Sequence, residues 1–188
     1  MALLIRNWLW LTFGLAPLLT ALSLFGAEWP RPVLFAYLLA PAYMLHQIEE
    51  HWRDRFRSFV NERVFGGFEA LTAAAVFWIN VPIVWGLNLG AFLCAVFARF
   101  DLALIAAYLM LVNAVVHTLG IFRFGYNPGL ITSLILFFPL SLAAIFAMPQ
   151  ALHTHLFALG VAVVGHVLIF GYAFLRVRRM KQSQKQAL

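Results

Sequence analysis

Long apolar stretches alternate with short polar segments along almost the whole chain. A helix needs about 20 predominantly apolar residues to cross the hydrocarbon core of a bilayer, and several stretches approach that length. They predict six spanning helices, over roughly residues 8–25, 33–50, 68–86, 102–122, 130–148 and 155–175. A further apolar stretch, residues 88–100, either extends the third helix or lies at the membrane interface. The pattern therefore predicts an all-α, polytopic membrane helix bundle.

The composition agrees with this pattern. Hydrophobic residues make up 64% of the 188 residues and charged residues 11%, with a mean hydropathy of +0.89. Soluble domains contain about 25% charged residues, so the composition excludes a soluble globular protein. We expect one transmembrane domain, residues 1–175, followed by a frayed basic cytoplasmic tail, residues 176–188. The single cysteine, Cys94, excludes an intrachain disulfide.

The distribution of basic residues predicts the orientation in the membrane. The net charge of +6 and the pI near 10.1 could indicate nucleic-acid binding, but the basic residues lie beside the apolar stretches, where they set topology and contact lipid headgroups. With six spans, one side of the membrane receives all of the 13 Lys and Arg residues except Arg31 and Arg99. The positive-inside rule then puts both termini in the cytoplasm. We expect an integral protein of a bacterial inner membrane, with membrane lipid and not nucleic acid as its partner.

Three ionisable residues close the second predicted span, in the stretch His46-Gln47-Ile48-Glu49-Glu50. A carboxylate at the centre of a spanning helix costs ~2.5–3.5 kcal/mol on insertion scales, so ionisable residues within a span indicate function. On a helix, Glu49 and Glu50 follow His46 by three and four residues, which puts all three on one face. Helices present metal ligands in this way. A solvated helix end is the structural alternative.

Histidines on other helices are predicted to lie at the depth of His46. The second, fourth and sixth helices run in the same direction, and His46, His117 and His166 lie about 13, 15 and 11 residues from their starts. With a rise of ~1.5 Å per residue, these offsets differ by only about 6 Å. Glu69 lies at the start of the third helix, near the same depth. It belongs either to this polar layer or to the helix terminus, where a carboxylate complements the helix dipole. We therefore expect a polar layer in the cytoplasmic half of the bundle.

A divalent metal is the economical explanation of such a layer. Neutral imidazoles and carboxylates are good ligands for zinc or iron, and a cation offsets the cost of buried carboxylates. The predicted ligands are His46, Glu50, His117 and His166. His166 could instead be a packing residue. Glu49 or Glu50 would move the proton in catalysis, and Asn113 would fix the tautomer of an imidazole.

Three motifs together resemble a known family. They are His46-Gln47-Ile48-Glu49-Glu50, Asn113-x-x-x-His117 and Tyr126-x-Pro128-Gly129-x-x-Thr132. In this order they resemble the HXXEE domain family of small membrane proteins, for which no function is established. The resemblance implies that the functional residues are His46, Glu49, Glu50, Asn113, His117, Tyr126 and Thr132. It gives no reaction, and it does not include His166.

A second resemblance is to the CAAX-type intramembrane proteases, which carry paired glutamates, an arginine, and His and Asn on helices. In this chain Arg53 lies one residue short of the EExxxR spacing. Asn113 precedes His117, whereas the family has the reverse order. The resemblance implies a metal-free glutamate protease as an alternative function.

These observations favour an integral membrane enzyme that uses a divalent metal, zinc or iron, to hydrolyse a lipid-like or small amphipathic substrate. The metal would polarise a bond or activate water. An iron-dependent membrane oxidoreductase, a CAAX-like protease and a proton-coupled transporter use similar residues and are the alternatives. In a structural or sensor protein, the polar layer would instead help to pack the helices.

Overall fold

The computed structural model describes residues 1–186, and the last two residues of the predicted tail, Ala187 and Leu188, lie outside the described part. All regular elements in the described part are helical. We number them α1 (Ala2–Gly26), α2 (Arg31–His51), α3 (Arg55–Phe59), α4 (Ala73–Val96), α5 (Phe100–Phe124), α6 (Leu130–Ala147) and α7 (Leu152–Gln186).

Five of these helices, α1, α4, α5, α6 and α7, are long and apolar enough to cross a membrane. α2 has 21 residues and covers the predicted second span. It is less apolar than the others because Arg31 lies at its start and the polar stretch from His46 to Glu50 lies at its end. The structure confirms the predicted all-α, polytopic membrane bundle, in which α2 is the polar member.

α2 lies at the centre of the bundle, where it packs against α1, α4, α5 and α6. Its apolar half joins the main core through Ala36, Leu39 and Tyr43, all of which are almost inaccessible. The surrounding helices also bury its polar residues His46 and Glu50. These side chains therefore contact protein rather than lipid, which is the usual setting of ionisable residues within membrane proteins.

The third span begins later and ends later than the apolar pattern predicts. α4 begins at Ala73 because Thr72 caps it, and the Thr72 hydroxyl accepts a hydrogen bond from the Ala75 N–H at 3.0 Å. The helix then continues through Val96. Most of the ambiguous stretch 88–100 is therefore an extension of the third helix.

Three π-helical segments occur near the polar end of α2: Val60–Val64 after α3, Ile79–Trp85 in α4 and Ser133–Phe137 in α6. The segment in α4 surrounds Pro82, which has no N–H to donate to the preceding turn. Such segments are rare, and they are frequent at functional sites. The Phe137 ring packs 4.2 Å from the His46 ring, so the segment in α6 directly borders the candidate site.

α7 continues past the predicted end at residue 175 and reaches Gln186. The prediction of a frayed tail is therefore wrong for residues 176–186. Arg176 is fixed to Glu69, because its Nε donates to the Glu69 carbonyl at 2.7 Å and its Nη2 donates to the Glu69 carboxylate at 2.9 Å. Arg57 lies 3.6 Å from the same carboxylate. Glu69 thus joins α7 to the α2–α4 connection.

The connection from α2 to α4 turns through two left-handed residues, Arg53 and Asp54, with φ of 55° and 62°. Asn61 then bridges the connection to the segment before α4. Its Nδ2 donates to the Leu71 carbonyl at 3.0 Å, and its Oδ1 accepts from the Leu71 N–H at 2.9 Å. The connection is thereby held against the bundle, where its aromatic side chains wall the cavity described below.

Candidate metal centre

His46, Glu50 and His117 come together in the interior of the bundle. The His117 Nε2 atom lies 3.4 Å from Glu50 Oε1, and the His46 Nε2 atom lies 3.8 Å from Glu50 Oε2. One ligand atom from each residue lies within 4.8 Å of the other two. The three residues are only 1%, 6% and 6% exposed, respectively. We name these three residues the His–Glu cluster, and it could hold a metal ion.

A chain of hydrogen bonds fixes the tautomer of His46. The Thr132 hydroxyl donates its only proton to Glu49 Oε2 at 2.6 Å. The same hydroxyl lies 2.8 Å from His46 Nδ1, so it accepts a proton from that nitrogen. His46 therefore presents the lone pair of Nε2 to Glu50. Within the described chain, His46 Nε2 has no hydrogen-bond partner.

Asn127 fixes the tautomer of His117 in a similar way. The Asn127 Nδ2 donates to the backbone carbonyl of His117 at 2.9 Å, which sets the orientation of the carboxamide. Its Oδ1 lies 2.7 Å from His117 Nδ1 and can only accept, so Nδ1 carries the proton. In the neutral imidazole, the lone pair of His117 Nε2 is therefore left for Glu50 and its surroundings. Metal-ligating histidines are commonly oriented through the nitrogen that does not bind the ion.

Two imidazole lone pairs and one carboxylate thus face one another in a buried space. All three groups donate electron pairs, and burying them together is unfavourable unless a proton or a metal cation lies between them. A single proton bridges only two of these atoms, whereas a divalent ion coordinates all three at once. Two imidazoles and one carboxylate form a ligand set that is used for zinc in hydrolases and for non-haem iron. The donor set of the His–Glu cluster therefore fits a divalent metal.

Glu49 has a different set of partners. Its Oε1 accepts from the Tyr126 hydroxyl and the Ile131 N–H, both at 3.1 Å, and its Oε2 accepts from the Thr132 N–H at 2.8 Å and from the Thr132 hydroxyl. Burial, followed by the charge of Glu49, raises the pKa of Tyr126, so the phenol stays protonated and donates. The N–H groups come from the first turn of α6, where they have no partner within the helix. Four donors saturate Glu49, which argues against the proton-transfer role predicted for it and favours a role in positioning Thr132.

Gly129 lies against both imidazole rings. Its φ of +95° is a left-handed conformation that favours glycine. A Cβ atom at this position would lie 2.7 Å from His46 Cε1 and 2.8 Å from His117 Cε1, closer than real Cβ contacts. Gly129 therefore allows the turn before α6 to approach both candidate ligands.

Two residues at the His–Glu cluster have no clear signal in the sequence. Asn127, rather than the predicted Asn113, contacts an imidazole, because the turn before α6 folds back onto α5. The only sequence signal for Asn127 is its position between Tyr126 and Pro128 in the third motif. His51 is buried against the Trp8 ring at 5.2 Å, and its Nε2 lies 3.0 Å from Glu50 Oε2. No helical spacing rule indicates His51, because adjacent residues of a helix do not share a face.

Gln47 lies between the functional residues of α2 and stabilises the fold. It is fully buried, its Nε2 donates to Asn80 Oδ1 at 3.0 Å, and its Oε1 accepts from Trp85 Nε1 at 2.8 Å. Both partners belong to the π-helical part of α4. These bonds fix the rotation of α2 about its axis, which directs His46 and Glu50 towards α5.

Three predicted residues lie outside the His–Glu cluster. His166 on α7 lines the same cavity as Glu50, but it is not among the residues within ligand distance of one another. The structure therefore does not support His166 as a fourth ligand. Asn113 also lines the cavity, and its Oδ1 has no hydrogen-bond partner in the described chain. Glu69 is half exposed and is held by the ion pairs described above, so it does not contribute to the cluster.

A cavity of about 280 Å³ opens beside the His–Glu cluster. Apolar side chains from the α2–α4 connection, α4, α5 and α7 form most of its wall. On α5 the lining residues run from Leu109 to Phe124, and on α7 they run from His166 to Ala173. The cavity therefore occupies one half of the bundle. Its polar lining consists of Tyr43, Glu50, Asn80, Asn113, His117, Asn127 and His166.

Comparisons with known proteins bear on the family of the chain. No curated protein and no solved structure matches it. A family model described as a protein of unknown function with HXXEE motif matches residues 37–144. The matched region covers more than half of the chain and contains all three residues of the His–Glu cluster. The chain therefore belongs to the HXXEE family.

Proposed function

We propose that this protein is a metal-dependent membrane enzyme that hydrolyses a lipid-like or small amphipathic substrate at the His–Glu cluster. The observation that carries the proposal is the convergence of two imidazole lone pairs and a carboxylate at the edge of an apolar cavity. His46 Nε2, His117 Nε2 and Glu50 would hold the ion.

The ligand set supports hydrolysis. Catalytic zinc sites use three protein ligands, in some enzymes two imidazoles and a glutamate, and keep a further position for water or substrate. An ion held in this way lowers the pKa of water and polarises carbonyl groups. Thr132 and Asn127 would orient the two imidazoles, and Glu49 would hold Thr132. Because Glu50 would be a ligand, the proton acceptor must be sought elsewhere along the cavity.

The cavity supports a lipid-like substrate and an enzyme rather than a transporter. Its wall is mostly apolar, and it lies inside a membrane protein, where hydrocarbon chains are the most abundant small ligands. A carrier needs a path that reaches both faces of the membrane in turn. The lining residues belong to one half of the bundle, as expected of a binding site rather than of a path through the membrane.

An iron-dependent oxidoreductase is the second candidate. The observation that favours it is the same donor set, because two histidines and one carboxylate also form the facial triad of non-haem iron enzymes. The two candidates share the ligands and the cavity. They differ in the metal, so the identity of the bound ion separates them.

We place the protein in a bacterial inner membrane, and the charge distribution supports an orientation with both termini in the cytoplasm. Basic residues concentrate on the predicted inner side of the sequence, including the polar end of α7. The His–Glu cluster would then lie in the cytoplasmic half of the membrane. Reporter fusions at the two termini test this orientation.

Elemental analysis of protein purified without a histidine tag tests the metal. We expect near-stoichiometric zinc or iron in the wild type and a loss of metal in the His46→Ala and His117→Ala variants. His153→Ala is the matched control, because His153 is exposed and lies far along α7 from the cluster. Gel filtration in detergent and thermal unfolding verify that each variant is folded.

The outcomes separate the candidates. Zinc that is lost in both cluster variants and retained in His153→Ala supports the hydrolase, and iron with the same pattern supports the oxidoreductase. A wild type that binds neither metal after reloading overturns both. Metal lost only in the control would identify adventitious binding and would also overturn them.

A further inference from the structure

We propose that the cavity binds an uncharged, single-chain lipid whose head group carries a hydroxyl, and that Asn113 and His166 bind that head group. The proposal deepens the proposed function and rests on it, since the head group would lie beside the His–Glu cluster. It assigns binding roles to two residues that the cluster does not use.

The size and wall of the cavity fit one hydrocarbon chain. Its volume of about 280 Å³ lies just below the 300–1,000 Å³ that is usual for small-molecule sites, so a lipid with two chains is too large. Phe56 and Phe59 from the α2–α4 connection line one side, and Ile169 and Phe170 from α7 line another. An alkyl chain packed between these side chains is removed from water without burying any polar group.

The charge of the lining favours an uncharged head group. Among the described residues that line the cavity, none is Lys or Arg. A phosphate or carboxylate head group would therefore lack a cationic side chain to pair with, and the carboxylate of Glu50 would repel it. An ion at the His–Glu cluster offsets this repulsion, so an anionic lipid is the competing ligand that the test must include.

Asn113 has an unused hydrogen-bonding group and belongs to the lining of the cavity. It lies one helical turn before His117 on α5, so the two side chains share a face. Its Oδ1 is buried and has no hydrogen-bond partner in the described chain. A buried carboxamide oxygen without a partner is unfavourable, and a ligand in the cavity that donates a proton would remove this cost.

His166 offers a second acceptor to the same cavity. Its Nδ1 lies 2.8 Å from the carbonyl of Ala162, which can only accept, so Nδ1 carries the proton. The neutral ring then has its lone pair on Nε2. His166 lines the cavity from α7, and Asn113 lines it from α5. Two acceptors in the lining favour a ligand with hydrogen-bond donors, and a hydroxylated head group supplies such donors without a charge.

A matched pair of lipids tests the proposal directly. The probes are 1-O-decylglycerol, which cannot be hydrolysed as an ester, and its dimethyl ether, which lacks O–H donors. Sodium decanoate represents the anionic class. Equilibrium binding of radiolabelled probes to the purified full-length protein in nanodiscs gives the three dissociation constants. We expect 1-O-decylglycerol to bind about tenfold more tightly than its dimethyl ether, as expected for one or two hydrogen bonds.

Substitutions test whether Asn113 and His166 cause the preference for 1-O-decylglycerol. Asn113→Leu and His166→Leu keep approximate side-chain size and remove the acceptors, and each should reduce the preference to about twofold or less. Asn88→Leu is the control for Asn113, because Asn88 also has a buried Oδ1 without a partner among residues 1–186 but does not line the cavity. His155→Leu is the control for His166 on the same helix. Both controls should keep the tenfold preference. The wild-type comparison of the two lipids stands even if a variant does not fold.

The outcomes distinguish this proposal from the metal proposal. Equal binding of the two glycerol lipids, or tighter binding of decanoate, overturns the head-group assignment whether or not metal is present. A preference that survives in both Asn113→Leu and His166→Leu also overturns it. A preference that both variants lose, in a protein that binds no metal, supports the head-group site while the proposed function fails.

Discussion

The last turn of α2 carries two adjacent carboxylates with opposite surroundings. Glu49 accepts four hydrogen bonds from the turn before α6 and from the start of that helix. Glu50 faces the lone pairs of His46 and His117, with His51 beside it. Adjacent residues on a helix point about 100° apart, so one turn can serve two neighbouring helices. The difference separates a carboxylate that holds the fold together from one that is available to an ion.

The largest expected effect comes from replacing each of the two glutamates by glutamine in separate variants. Glu50→Gln should lower metal affinity by more than about 100-fold, because the substitution removes a metal ligand. Loss of a group that only hydrogen-bonds a ligand usually has a smaller effect. Glu50→Gln should not lower the unfolding free energy of the metal-free protein, since the buried charge disappears. Glu49→Gln should lower that free energy by about 1–3 kcal/mol, because an NH2 group replaces one of the two oxygens and can no longer accept from the donors that face it. Metal titration and thermal unfolding in detergent measure both quantities, and equal behaviour of the two variants would contradict the comparison.

Gly129→Ala tests whether the turn before α6 must touch both rings. We expect loss of metal and a destabilisation of about 1–3 kcal/mol, because the new methyl group overlaps His46 and His117. Gly67→Ala is the control, because Gly67 also has a left-handed φ of +90° but no atom of the described chain within 4 Å of its Cβ position. It should cost only backbone strain and should leave metal content unchanged. Retention of metal by Gly129→Ala would show that the close approach is unnecessary.

Thr132→Val tests the hydrogen-bond chain from Glu49 to His46. The substitution keeps the shape of the side chain and removes the hydroxyl, so the tautomer of His46 is no longer fixed. Loss of an outer partner of a ligating histidine usually lowers metal affinity 10–100-fold, and we expect a change of about that size. Thr132→Ser retains the hydroxyl and should restore most of the affinity. Metal affinity is measured by competition with a chelator. Equal affinities of the Val and Ser variants would show that the Thr132 hydroxyl does not support metal binding through His46.

The smallest expected effect is that of Tyr126→Phe. Tyr126 is 50% exposed and supplies one of four donors to Glu49, so metal affinity should fall less than about threefold. Its pKa is raised in the folded protein by burial and then by the charge of Glu49, so folding favours the protonated phenol. The stabilisation by Tyr126 is therefore present below about pH 10, the ordinary pKa of tyrosine, and is lost as the pH rises through the raised value. Thermal unfolding of both proteins across this range checks the sign, and a difference that grows above pH 10 would be inconsistent with it.

The sequence predicts the helices and part of the candidate site for identifiable reasons. Long apolar stretches require helices in a membrane, because only a helix satisfies its own backbone there. Counting residues along parallel helices places His46 and His117 at one depth, and the structure brings their rings to 5.0 Å from each other. Depth does not determine lateral position. α7 packs mainly along α5, so His166 reaches the cavity and not the His–Glu cluster.

The remaining contacts depend on tertiary structure that no spacing rule contains. Glu49 and Glu50 are equivalent in the sequence pattern, and only the packing of α6 against α2 supplies donors to one of them. Asn127 lies in a turn, and its contact with His117 requires that turn to fold back. The ambiguity of residues 88–100 arises because an apolar stretch of that length suits either a helix extension or an interfacial segment.

The turn between α5 and α6 holds the outer nitrogens of both candidate ligands, since Asn127 binds His117 and Thr132 binds His46. A single local opening of this turn would release both imidazoles at once, while the helices that carry them stay folded. The rate at which an ion leaves would then be limited by the lifetime of the closed turn rather than by the strength of any one bond. An ion bound at the His–Glu cluster would therefore leave on the same timescale as the Thr132 amide exchanges its hydrogen.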